Sequence, residues 1–119
     1  MEILIGHLVG DYLLQTGWMA SNKTKWSLIG WTACILHCVI YTIIMACCVR
    51  NFHFIGMAIV FAQHLIADKS RAPVEFYMRH IQKFKPWPPH YAWVILYDNC
   101  FHLLTAWLVY DVFKGVLFL

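Results

Sequence analysis

The first apolar stretch of the chain, HLVGDYLLQ, carries a histidine, an aspartate and a glutamine at four-residue intervals, His7, Asp11 and Gln15. The interval returns three times, as His37 with Tyr41, His64 with Asp68 and, in reverse order, Asp98 with His102. Residues four apart share a helix face, about 6 Å apart along the axis, so each stretch aims one polar pair in one direction. Imidazole and carboxylate are the donors that hold zinc and similar divalent ions. Four imidazoles and three carboxylates converging in a bundle form a ligand set for one or two ions, and a bridging carboxylate is the usual device for a pair about 3.5–4 Å apart. The expected metal ligands are therefore His7, Asp11, His37, His64, Asp68, Asp98 and His102. Gln15 either hydrogen-bonds a ligand carboxylate or joins helices. Tyr41 either donates to a substrate oxygen or fills a helix interface, and Cys34, one turn before His37, is a soft-ligand candidate.

The elements that must carry these residues are apolar. Hydrophobic residues make up 61% of the 119 and charged residues 13%, with a mean hydropathy of +0.61. Soluble domains carry about a quarter charged residues, so the composition reads as integral to a membrane. Four segments of suitable length are expected to span it, at 3–18, 26–49, 52–71 and 91–113, forming one all-α transmembrane bundle with no second domain. Residues 73–85 alternate at helical spacing between Val74, Tyr77, Met78, Ile81, Phe84 and a polar face of Glu75, Arg79, Gln82, Lys83 and Lys85, which predicts an amphipathic helix lying in the interface. The first stretch lacks the basic flank of a signal peptide. The five cysteines all lie in apolar segments, with neither zinc-finger nor secreted-framework spacing, so disulfides are not expected.

Seven of the nine lysines and arginines fall in the loops after the first and third segments, and only Arg50 and Lys114 fall on the other side. The positive-inside tendency places those two loops in the cytoplasm and both termini outside. Trp18, Trp26, Trp87 and Trp93 cluster at the same boundary as an aromatic belt, and His53, His80 and His90 read as ordinary surface histidines. Counted from that boundary, Asp11, His64 and Asp98 lie seven residues in, and His37 eleven. At 1.5 Å per residue these are at a shared depth of roughly 10–16 Å. A buried aspartate facing lipid costs about 2.5–3.5 kcal/mol, so three of them must meet partners. Besides a metal centre, a proton relay and a purely structural polar core satisfy that requirement. No basic run suggests a nucleic-acid partner, and the sequence leaves a homo-oligomer open.

The opening motif, His7, Gly10, Asp11, Tyr12, Leu14, Gln15 and Trp18, resembles the H-x-x-G-D-[FY]-x-L-Q pattern of the DUF3307 family of small bacterial and phage membrane proteins. His37, His64 with Asp68, and Asp98 with His102 match the family's later features. The chain departs at Asn99, where the pattern carries glutamine, which speaks against a supporting role at that position. The resemblance implies a multi-pass protein of the bacterial inner membrane and carries no settled activity. The motif of His7, Gly10 and Asp11 and that of His64 and Asp68 are also similar to ligand motifs of zinc-dependent phospholipase C and P1-type nucleases, which implies phosphoester chemistry. The expected function is thus a membrane-embedded hydrolase of a phospholipid or other lipid-linked phosphoester, using one or two divalent ions, zinc by preference. Asp68 or Asp98 would take the proton from water, and Arg71, one turn beyond Asp68, would steer the phosphate. The competing expectation is a non-enzymatic membrane protein, a holin-like or exclusion factor, in which a metal or polar core only staples helices together.

Overall fold

A computed structural model describes residues 1–83 and 91–117, and among these every regular element is helical. The helices are α1 (Glu2–Leu8), α2 (Gly17–Asn22), α3 (Leu28–Val49), α4 (Phe54–Ser70), α5 (Ala72–Phe76), α6 (Tyr91–Trp107) and α7 (Lys114–Leu117). Three of them run on into π-helical turns, Val9–Leu13 after α1, Tyr77–Ile81 after α5 and Leu108–Val112 after α6. Trp87 and His90, Pro86 and the proline pair at 88–89 lie outside the described residues, as do Phe84 and Lys85 at the end of the expected amphipathic helix.

The first apolar segment departs from the expected helix over 3–18. The π turn closes with a bond from Leu14 N–H to the Val9 carbonyl, the backbone leaves helical form at residues 14–16, and Thr16 starts a new helix by accepting the Met19 N–H. Twelve helical residues before the break reach only about 18 Å, short of a hydrocarbon core of about 30 Å. What runs alongside α3 is instead a broken helix. Met1, Glu2 and Ile3 share a cavity with Val49 and Arg50, Gly6 meets Met45 and Cys48, and Gly10 meets Tyr41. After the break, Lys25 reaches Gly30 at the start of α3. Gly10 is required by that approach, because a Cβ there would lie 2.8 Å from the Tyr41 ring and 3.3 Å from its Cα.

Among the described residues two helices, Leu28–Val49 and Ala92–Val112, are long and apolar enough to cross a membrane; α4, at 17 residues, falls just short of that length. Polarity is distributed inside out. Ile35, Leu36, Val39 and Ile43 on α3 are exposed, whereas His37, Asp68, Lys69 and His102 are buried. An apolar core of Tyr41, Met45, Val60, Ala106, Val109 and Tyr110 fills the bundle toward the end that holds Met1, and the polar cluster sits beside it. In the helix after Pro73, Val74 and Met78 are buried and Tyr77 packs on Tyr97 and Phe101. Ile81, expected on the same face, is exposed, because the π turn at Tyr77–Ile81 shifts the register by which that face was read.

Candidate metal centre

Asp11 comes from the π turn after α1, His37 from the middle of α3, and His64 and Asp68 from successive turns of α4. His37 Nε2 lies 3.0 Å from Asp11 Oδ1, 3.1 Å from His64 Nε2 and 3.2 Å from Asp68 Oδ2. His64 Nε2 lies 3.3 Å from Asp11 Oδ1 and 3.4 Å from Asp68 Oδ2. Each Nε2 carries at most one proton: with both protonated the two nitrogens meet donor to donor, and with either one bare its lone pair faces carboxylate oxygens. A cation at the centre resolves that conflict. For an ion whose ligand bonds are about 2.0–2.1 Å, the edges of a tetrahedron are about 3.3–3.4 Å, close to the observed spacing.

A second group shares one member with the first. Asp68, Asp98 and His102 also bring ligand atoms within 4.8 Å of one another. His102 Nε2 stands 3.7 Å from Asp68 Oδ1 and 3.5 Å from Asp98 Oδ2. Its Nδ1 faces Gln63 Oε1 at 3.3 Å, and the tautomer that donates there leaves a lone pair on Nε2. That nitrogen is buried with no hydrogen-bond partner, as is Asp98 Oδ1. Asp68 therefore turns Oδ2 toward the first group and Oδ1 toward the second, the disposition of a bridging carboxylate. The imidazole planes are fixed by stacking, with His64 held between Tyr41 and His102 at 3.9 Å from each ring.

Of the seven expected ligands, six fall into these two groups. His7 stands beside them, because both its ring nitrogens are engaged: Nε2–H donates to Asn99 Oδ1 at 2.9 Å, and Nδ1 accepts from the Tyr41 hydroxyl at 3.1 Å. Tyr41 thus orients His7. Gln15 keeps its Oε1 buried without a partner and lines a cavity of about 220 Å³ with Asp11, Lys23, Asp98 and Asn99. Arg71 lines a second cavity of about 260 Å³, with Asp98 and Ile95. Cys34 is buried and belongs to neither group, and all five cysteines are free.

A family model for DUF3307, described as a protein of unknown function, matches residues 1–116. The chain belongs to the DUF3307 family. No curated protein and no solved structure matches it. Three residues of this DUF3307 chain enter the centre without having been expected there. Asn99 holds His7 and donates its amide to Tyr12, so the departure from the glutamine pattern removes no supporting role. Gln63 sets the tautomer of His102. Lys23, assigned to a cytoplasmic loop by its charge, reaches 2.6 Å from Asp68 Oδ2. Burial alone would lower the Lys23 pKa, but the Asp68 carboxylate outweighs it and raises the value above that of an ordinary lysine. One sequence signal pointed to Asn99, its place beside Asp98, three residues before His102. Nothing in the spacing marked Lys23.

Proposed function

We propose that this DUF3307 protein is a membrane-embedded, metal-dependent hydrolase of a phospholipid or another lipid-linked phosphoester. The observation that carries the reading is the placement of Asp68, whose two oxygens face two separate donor groups, as a two-ion hydrolytic site requires. Asp11, His37, His64 and Asp68 would hold one ion, and Asp68, Asp98 and His102 the other. Such ions, when bound, lower the pKa of water and polarise a phosphoryl oxygen. The likeness of the motif of His7, Gly10 and Asp11 and of that of His64 and Asp68 to phosphoester-cleaving zinc enzymes supports the choice of substrate.

The chain's own groups complete the chemistry. The side chain of Asp98 is about one-third exposed and borders both cavities, so it can take the proton as water attacks phosphorus and return it to the departing alkoxide. Arg71 and Lys23 flank it, one in each cavity, and offset the charge of the phosphate. Charge balance favours an anionic substrate. Three aspartates carry three negative charges, Lys23 offsets one, and a single divalent ion neutralises the rest. With a second ion bound the centre would be positive, a charge that an anionic substrate would offset.

The same reading places the protein in the bacterial inner membrane. The broken helix of α1 and α2, with α3, α4 and α6, would cross it, with the helix after Pro73, which carries Arg79, in the cytoplasmic interface and the loop around Lys23 cytoplasmic. Non-helical backbone at membrane depth is tolerated where it lines a cavity, and residues 14–16 adjoin the one that Gln15 lines. The pairing of Lys23 with Asp68 favours a second reading, a closed polar core in a non-enzymatic membrane protein. Elemental analysis of detergent-purified protein, with phosphate release from a phospholipid panel, separates the two. Bound metal with turnover that His64→Ala abolishes supports hydrolysis. Protein with no metal and no turnover favours the closed core.

A further inference from the structure

Lys23 and a metal ion compete for one atom. Asp68 Oδ2, which completes the first donor group with His37 and His64, is also the oxygen on which the Lys23 ammonium sits at 2.6 Å. Two cations sharing a single carboxylate oxygen repel each other strongly where water is scarce, and the Asp68 side chain is almost wholly buried.

The lysine is held in that place by its neighbours. Lys69, next to Asp68 on α4 and itself buried, points to the loop and donates to the backbone carbonyls of Lys23 and Lys25. Its ammonium lies 4.5 Å from the Trp31 ring centre and 5.6 Å from that of Trp26, so its charge is met by carbonyls and aromatic faces and none is spent on a carboxylate. Gly30 lets the Lys25 carbonyl approach, since a Cβ there would lie 2.0 Å from that oxygen. A buried lysine and a glycine thus fix the short stretch of backbone from which Lys23 reaches inward.

We propose that Lys23 is a resident cation that guards the shared carboxylate of the metal centre, with Lys69 as the positioning residue that holds it there; this rests on the metal reading above. In the metal-free protein Lys23 supplies the charge that keeps Asp68 from being buried alone. Loading drives the ammonium off Oδ2 into the adjoining cavity of about 220 Å³, between Asp98 and Gln15, where it faces an incoming phosphate. Lysine and metal are therefore antagonists on Asp68, and removing one strengthens the hold of the other.

The test uses Zn²⁺ as the probe on the full chain in detergent, with affinity read from the loaded side by chelator competition, so that no variant has to fold without metal. Lys23→Met is expected to bind zinc at least about five-fold more tightly than wild type, a coupling of ordinary size. Lys69→Met tightens binding by a smaller factor. The double variant matches Lys23→Met alone, because Lys69 acts only through Lys23, and Lys23→Arg, which retains the charge, stays at the wild-type value. Unchanged or weaker binding by Lys23→Met, with wild type binding zinc, overturns the proposal and leaves the metal reading standing. Additive gains in the double variant overturn the role given to Lys69. No zinc bound by any of the proteins overturns the metal reading and the proposal with it.

Discussion

Asp68→Asn is the substitution that asks most of the centre, because it keeps the shape of the side chain while removing the charge shared by both donor groups. Its structural cost is set by Lys23. Removing one partner of a buried ion pair costs about 3–5 kcal/mol, and the lower end applies because the Lys23 side chain is 16% exposed and a cavity adjoins it. No volume is lost, so no cavity penalty adds to this. A loss of about 3 kcal/mol lowers the melting temperature of a chain of this size by on the order of 10 °C. The metal readout is sharper. Asp98→Asn touches only the group with His102 and should reduce the ion count from two to one. Asp68→Asn weakens both groups and should leave neither ion retained through purification. Metal per protein, measured by elemental analysis on wild type and both variants at matched helicity, gives the result directly. An Asp68→Asn protein with the same metal content as Asp98→Asn would refute the bridging placement.

Further expectations follow from neighbouring contacts. Chelation should lower the melting temperature of the metal-loaded protein, because binding energy at a site drawn from several helices is folding energy; a melt indifferent to chelator, with no metal detected, counts against the centre. Asp11→Asn should lose metal and phosphoester turnover together, whereas Glu2→Gln, on an exposed residue at the far end of the same helix, should change neither. Gly10→Ala should destabilise by about 1–3 kcal/mol as its methyl meets Tyr41, and should weaken metal retention by disturbing the helix that carries Asp11. A thermal melt of that variant beside Gly17→Ala, which meets no atom within 4 Å, checks the first part, and metal content checks the second.

The convergence of the centre was legible because its signals are local. The four-residue interval survives in His64 with Asp68 and in Asp98 with His102, both on unbroken helix, and the structure brings Asp11 and His37 to them. His7 stands outside the two donor groups for a reason spacing cannot show. Whether an imidazole offers a lone pair depends on what its other nitrogen meets, and Asn99 and Tyr41 come from two other helices. Lys23 was invisible for the opposite reason. Charge assigns a loop lysine to water, and only the backbone held by Lys69 turns it inward. The break at residues 14–16 left a trace in Thr16 and Gly17, a cap residue and a helix-weakening residue in sequence, but the apolar flanks concealed it. The chain's membership of DUF3307 agrees with the motif that starts at His7, whose Gly10 now has a steric explanation.

The three π turns give the chain an unequal tolerance for changes in length. A π turn closes with a bond from residue i+5 to residue i, as between Leu14 and Val9 and again between Phe113 and Leu108, so it holds one residue more than an α-helical turn. Loss of a single codon can be absorbed in such a place by reverting to ordinary helix. At Leu108–Val112 that reversion lies beyond His102 and leaves all six donors where they are. Between His7 and Asp11 it moves the aspartate by one helical position, about 100° around the axis, and turns it from His37 and His64. Lineages of this family should therefore vary in length after the last histidine and hold their length between the first histidine and the aspartate that follows it.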